Sequence, residues 1–293
     1  MSKRKDQDLT VAQRIQNRFD ELTRAERQLA NAMLDNYPVS GLGSITALAE
    51  ASGVSTPTVA RMARKLGFGG FPELQATLRS ELEATISNPI IKHERWAENA
   101  PDTHMLNLFA EAVIKNLRKT LKQQDPKDFD AIVQALADRS KVIHVVGGRI
   151  SHSLASYFYT HMQMLRGDVL QVERNANSWP HYVLNMKKGD VLVMFDMRRY
   201  ERDLLRFAKM AAARGVELIL FTDQWGSPAA KFARHKIYSR IEVPSAWDSS
   251  VVPMFILEAV IAAVQNETWE ETGARMKELE HLFEKTKLFK KFI

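Results

Sequence analysis

Apolar positions recur at helical spacing through the first third of the chain. Val11, Ile15, Phe19 and Leu22 mark an amphipathic helix over 11–22. Thr23, with Glu26 three residues later, carries the capping-box signature of a second helix over 23–37. The stretch 45–71, ITALAEASGVSTPTVARMARKLGFGGF, predicts two short helices joined by a tight turn. Leu48, Ala49 and Val54 are its first apolar positions, and Gly53 stands where the chain must reverse, a place that favours positive φ. Ser55 suits an N-cap whose hydroxyl accepts an orphan N–H, and Pro57 falls in the first turn, where its missing N–H costs little. Val59, Met62, Ala63 and Leu66 face inward, which assigns Thr56, Thr58, Arg61, Arg64 and Lys65 to the outer face. A further helix over 71–86 opens at Pro72.

The pattern then changes twice. Residues 87–104, SNPIIKHERWAENAPDTH, hold two prolines, mixed charge and little periodicity, which predicts a linker. Beyond it, helices over 105–122 and 128–137 precede five short β-like runs at 142–146, 169–172, 191–195, 217–222 and 237–243, with helical patterns between them. Such alternation predicts a parallel sheet with crossover helices on both faces. An apolar helix over 249–266 and an amphipathic one over 269–287 close the chain. The expected organisation is an all-α head over 1–86, a linker over 87–104 and an α/β domain over 105–293.

Composition narrows the function classes. With 293 residues the chain has room for two modest domains, and it contains no cysteine, which removes disulfides, thiolate metal sites and cysteine nucleophiles. No run of eighteen apolar residues predicts a membrane span, and the first ten residues lack the apolar core of a secretory signal. A cytoplasmic location is the expectation. The formal charge is +6, yet residues 1–81 hold 11 cations against 9 carboxylates, so the excess is not concentrated in the head. Its local placement matters more. Between Ala51 and Pro72 stand Arg61, Arg64 and Lys65 and no carboxylate.

A helix-turn-helix that lays its second helix in the DNA major groove needs such a surface: short hydroxyls and long cationic donors that reach phosphates and base edges. Ser55, Thr56, Thr58, Arg61, Arg64 and Lys65 are the candidates. Periodicity alone equally permits a solvated helix of an ordinary bundle. In the α/β half, candidate ligand contacts follow the strands, because open parallel sheets bind at the carboxyl ends of strands where strand order reverses. After the first strand come Gly147, Gly148, Arg149 and Ser151; after the third, Asp196, Arg198 and Arg199; after the fourth, Asp223 and Trp225. The glycine pair equally suits a plain strand-to-helix turn. The arginines suit either an anionic ligand or salt bridges, and Trp225 either stacks on a ligand or packs under its loop. His144 is expected to be buried in its strand. His152 and His161 lie nine residues apart on one helix, and no spacing of His, Asp and Glu suggests a metal site.

The segments Leu22-Thr23-x-x-Glu26, Ala30-x-x-Leu34-Asp35-Asn36 and LAEASGVSTPTVARMARKLGFGGFPEL resemble the N-terminal domain of RpiR-type bacterial transcriptional regulators. By that resemblance the recognition helix spans about 56–66. The second half, over about 132–263, resembles a sugar-isomerase (SIS) domain, a phosphosugar-binding module. GGRIS after the first strand, G-D-V-L-V at the third and A-x-x-R-G-V-x-L-I-L-F-T-D at the fourth carry this likeness. The resemblance also exposes a departure. The S-x-S-G-x-T phosphate loop of SIS domains is replaced, with Asp196, Arg198, Arg199 and Glu201 at its four places.

The resemblance thus implies a DNA-binding transcriptional regulator, not an enzyme, without a cofactor or metal, whose operator binding responds to a small anionic metabolite such as a sugar phosphate or related acid. A homodimer or homotetramer is expected, because helix-turn-helix proteins bind as dimers, with the SIS-like domain and its flanking helices over 105–122 and 269–287 as the pairing surfaces. A sugar-phosphate isomerase with an accessory helical domain is the alternative, with Glu258 or a histidine beside it as the acid–base group, and a head that only pairs subunits is a third.

Overall fold

The computed structural model describes residues 9–92 and 104–287; most of the expected linker lies outside them. The chain divides into two compact units after Arg95.

The head contains α1 (Val11–Asn17), α2 (Arg24–Asp35), α3 (Ile45–Ala51), α4 (Thr56–Lys65) and α5 (Phe71–Ile86). Thr10 caps α1 through a reciprocal box with Gln13, and Thr23 caps α2 through one with Glu26. The first helix is shorter than the periodicity predicts. It stops at Asn17, and a 3₁₀ turn at Phe19–Glu21 follows, whose carbonyls at Phe19 and Asp20 accept from the Arg27 guanidinium at 3.2 and 2.9 Å. Gly53 turns the chain at φ +62° between α3 and α4. Val11, Ile15, Leu29, Met33, Leu48, Val59, Met62, Leu66, Phe71, Leu74 and Leu78 form one continuous core. Glu81 is buried at its edge, where its carboxylate accepts the Val11 N–H at 2.9 Å and the Tyr37 hydroxyl.

The second unit opens with α6 (Met105–Gln123) and α7 (Pro126–Ala137), then alternates β1 (Ile143–Gly147), α8 (His152–Leu165), β2 (Val169–Gln171), α9 (Trp179–Asn185), β3 (Val191–Asp196), α10 (Arg202–Ala213), β4 (Glu217–Asp223), β5 (His235–Ser239), α11 (Val251–Glu267) and α12 (Trp269–Thr286). All strands are parallel, in the order β2-β1-β3-β4-β5. Their side chains alternate between two buried layers. Ile143, Val145, Val193, Phe195, Ile219 and Phe221 face α7, α8 and α11, whereas Val146, Leu192, Met194, Leu218 and Leu220 face α9 and α10. The last strand ends at Ser239, earlier than the apolar run suggests. There the Arg240 N–H turns to the Thr120 hydroxyl at 3.0 Å and the Ile241 N–H to the Gln224 side chain at 3.2 Å, so the backbone leaves the ladder. Among the described residues no single helix is long and apolar enough to cross a membrane.

Candidate nucleic-acid interface and ligand crevice

The predicted reading residues do not all face outward. Ser55, Arg61 and Arg64 are exposed and Thr56 is half-buried. The Arg64 side chain makes no ion pair or hydrogen bond with another described residue. Arg61 makes one side-chain bond, from Nη2 to the Thr58 hydroxyl at 3.1 Å. Thr58 is only 5% exposed, a correction to its expected outer placement. Its hydroxyl meets Ser55 Oγ at 2.9 Å, so Ser55 stands at the N-cap position without capping a backbone N–H through its side chain. Lys65 is half-buried and engaged within the head. Its Nζ lies 2.8 Å from Glu26 Oε2 and donates to the Glu21 carbonyl at 3.0 Å. Burial alone would raise the Glu26 carboxyl; the Lys65 ammonium and the N–H and hydroxyl of Thr23 outweigh it and hold the group below the ordinary glutamate range.

In the second unit, strand order reverses between β1 and β3. Gly147 pairs with Phe195 across that boundary, so the loops after both strands flank one crevice. A Cβ on Gly147 would lie 2.7 Å from the Ser151 carbonyl oxygen, so the backbone requires a glycine there; one on Gly148 would lie 2.7 Å from Glu201 Oε1, and that side chain would have to move. Ser151 is buried. Its hydroxyl donates to the Phe195 carbonyl at 2.7 Å and accepts the Gly148 N–H at 3.0 Å. Glu201 Oε1 accepts the Arg149 N–H at 2.5 Å and so joins the two loops.

The floor of the crevice is internally saturated. Asp223 is fully buried and accepts from the Arg198 N–H at 2.7 Å, the Tyr200 hydroxyl at 2.8 Å and the Trp225 N–H at 2.9 Å. Its carboxyl is pushed up by burial, against the pull of those donors. Asp196 accepts the Ser227 hydroxyl, and burial drives its carboxyl up to about 7, with the neighbouring Asp223 and Glu201 charges acting in the same direction. Asp196, Asp223 and Ser151 are therefore buried and engaged in bonds within the loops.

Arg198 is corrected in the same sense. Its side chain is 2% exposed and forks onto Asp248, Nε to Oδ2 at 3.0 Å and Nη2 to Oδ1 at 2.5 Å, while the guanidinium carbon sits 4.5 Å from the Trp225 ring centre. Trp225, 8% exposed, packs under this arginine within its loop. The salt-bridge partners are Asp248 and, at 3.7 Å from Nη1, Glu242, fifty and forty-four residues along the chain, which no local spacing could announce. Arg149 and Arg199, by contrast, are exposed on the two rims, and neither guanidinium is paired with another described residue. His144 is buried in β1, where desolvation lowers its pKa, 3.8 Å from Asp190. Glu258 on α11 accepts the Tyr157 hydroxyl at 2.8 Å.

A helix-turn-helix head carried on the same chain as a doubly wound parallel sheet is the architecture of a DNA-binding transcriptional regulator. Comparison with known proteins agrees. Residues 9–85 match the helix-turn-helix domain of the rpiR family, and residues 136–263 match the SIS domain. The HTH-type transcriptional regulator HexR of Pseudomonas aeruginosa is 30% identical over 227 residues, covering 75% of each chain. The sugar isomerase domain of an RpiR transcription factor from Sphaerobacter thermophilus superimposes with a TM-score of 0.56 at 24% identity, over 60% of this chain and 97% of its own. The NanR protein of Vibrio vulnificus, solved in complex with ManNAc-6P, gives a TM-score of 0.55 at 16% identity, over 94% of this chain and 98% of its own. The chain belongs to the RpiR family of helix-turn-helix transcriptional regulators. The curated relatives are regulators, not isomerases.

Proposed function

We propose that this regulator reads its operator through Ser55, Thr56, Arg61 and Arg64, and that a small anionic metabolite, a sugar phosphate or related acid, bound between the loops after β1 and β3 alters that affinity. The observation that carries the first part is the surface of α4: Arg61 and Arg64 project from a stretch with no carboxylate between Ala51 and Pro72, and the Arg64 side chain has no partner among the described residues. Such a ridge meets a polyanion without first breaking an internal ion pair.

The second part rests on the switch-point crevice and its two free guanidiniums. With the floor carboxylates satisfied internally and Glu201 holding the Arg149 N–H, an anionic group is received by the side chains of Arg149 and Arg199, and not by the backbone of the turn. The likeness to NanR, which was solved with a sugar phosphate, supports this ligand class. Helix-turn-helix readers bind paired half-sites as dimers. The exposed apolar positions Met105, Leu106, Ile114 and Leu121 on α6, with Trp269 and Leu282 on α12, suit pairing into a homodimer or homotetramer. A ligand acts only by binding one arrangement of the paired heads more tightly than the other.

The test is fluorescence anisotropy of the full-length protein on the intergenic duplex upstream of its gene, with and without a panel of sugar phosphates, aldonic acids and uncharged sugars. One anionic class should shift the operator Kd at least tenfold. Arg149→Ala with Arg199→Ala should abolish the shift while preserving DNA affinity. A response to uncharged sugars alone, or to nothing in the panel, refutes the effector reading.

A further inference from the structure

We infer that Lys65 does not contact DNA but is a positioning residue, part of a cationic clamp that fixes the recognition helix from its C-terminal end. Three long side chains converge there. Lys65 Nζ bonds Glu26 Oε2 at 2.8 Å and the Glu21 carbonyl at 3.0 Å. Arg18 Nη1 donates to the Lys65 carbonyl, and Arg14 Nη1 donates to the Leu66 carbonyl at 3.3 Å. Arg14 is itself buried, its guanidinium 4.3 Å from the centre of the Phe68 ring. The last carbonyls of a helix lack intrahelical partners and carry its partial negative charge, so cations placed there serve both needs.

The clamp is anchored outside the recognition helix. Arg14 comes from α1, Arg18 from the turn after it and Glu26 from the first turn of α2. Glu26 is fixed in turn, because the same Oε2 accepts the Thr23 N–H at 2.8 Å. Of the reading side chains, Ser55 and Thr56 lie at the other end of α4 and Arg61 near its middle, while Arg64 stands beside the clamp itself. Its ten residues span about 15 Å, so a pivot of about 5° at the clamped end moves Thr56 by roughly 1.3 Å, enough to break a hydrogen bond to DNA. Lys65 thus affects affinity through the pose of Ser55, Thr56 and Arg61.

A positioning residue and a phosphate contact differ in salt dependence. Each lost phosphate contact lowers the slope of log K against log salt by about 0.9, whereas a tilted helix weakens binding without changing the count of released ions in that way. The experiment measures full-length protein on the upstream intergenic duplex from 50 to 300 mM salt. Lys65→Met and Glu26→Gln should each weaken binding about tenfold with the slope unchanged. Their double variant should be no weaker than the poorer single, and Lys65→Arg should restore most of the affinity. Glu26→Gln keeps the capping box, since glutamine serves at that position too, so this variant holds the fold if Lys65→Met does not. In the same variant the amide resonances of Thr56 and Arg61 should move in the free protein. A fall in slope of about one for Lys65→Met but not for Glu26→Gln would make Lys65 a phosphate contact and overturn the proposal. Unchanged affinity in both variants would overturn it equally.

Discussion

Replacing Arg198 separates a structural arginine from a ligand-binding one. The wild-type side chain is 2% exposed, forked onto Asp248 and stacked on Trp225. Arg198→Ala removes a bidentate, charge-assisted pair and a cation–π contact together and takes that guanidinium away from Asp248. Breaking a buried pair from one side costs about 3–5 kcal/mol. The Asp248 side chain retains 21% exposure, so water recovers part of its solvation and the lower end, about 3 kcal/mol, applies. For a unit of this size that lowers the midpoint by roughly 6–12 °C. Arg198→Lys keeps the charge and loses the fork, and should fall between the two. The assay is thermal unfolding of the full-length protein followed by near-ultraviolet circular dichroism, in which Trp225 reports. An unchanged midpoint in Arg198→Ala, with only ligand response altered, would show that the guanidinium serves a ligand and refute the assignment.

Two further outcomes follow from the geometry. Gly53→Ala should cost about 1–2 kcal/mol in urea unfolding, because φ is +62° and the new Cβ would lie 2.9 Å from Gln28 Nε2, which now donates to the Ser52 carbonyl at 2.8 Å; Gly53→Asn should cost less. Asp196 sets a pH dependence: its folded carboxyl titrates near 7 and its unfolded one near 4, so between those values the folded state holds a proton the unfolded chain has released. Its contribution to stability is complete below pH 4 and is lost as pH rises to 7, by on the order of 4 kcal/mol, and Asp196→Asn should flatten that limb in chemical denaturation.

Much of the architecture is legible because the hydrophobic periodicities of both halves of the chain are strong. The capping box Thr23–Glu26 and the glycine at the turn mark the head, and the helix over 71–86 has the bounds its periodicity gives. The burial of Thr58 and the partial burial of Lys65 on α4 have a geometric cause that the sequence does contain. At 100° per residue Thr58 lies about 40° and Lys65 about 60° from buried Met62, on the flank of the core stripe, whereas Arg61 and Arg64 point away from it. Counting them simply as polar obscured that angle. The crevice was legible in position but not in role. That the loops after β1, β3 and β4 meet follows from topology. That Arg198 finds Asp248, and that Asp196, Asp223 and Ser151 spend their bonds within the loops, depends on contacts 20–50 residues apart that no local pattern encodes.

The central claim is that the exposed ridge of α4 meets the DNA backbone and bases, and the salt dependence of operator binding by Arg61→Ala/Arg64→Ala tests it most directly. The account predicts an operator affinity reduced at least tenfold, unchanged helix content, and a slope of log K against log salt that falls by about 0.9 for each phosphate contact removed. Wild-type affinity and slope in that double variant would contradict it.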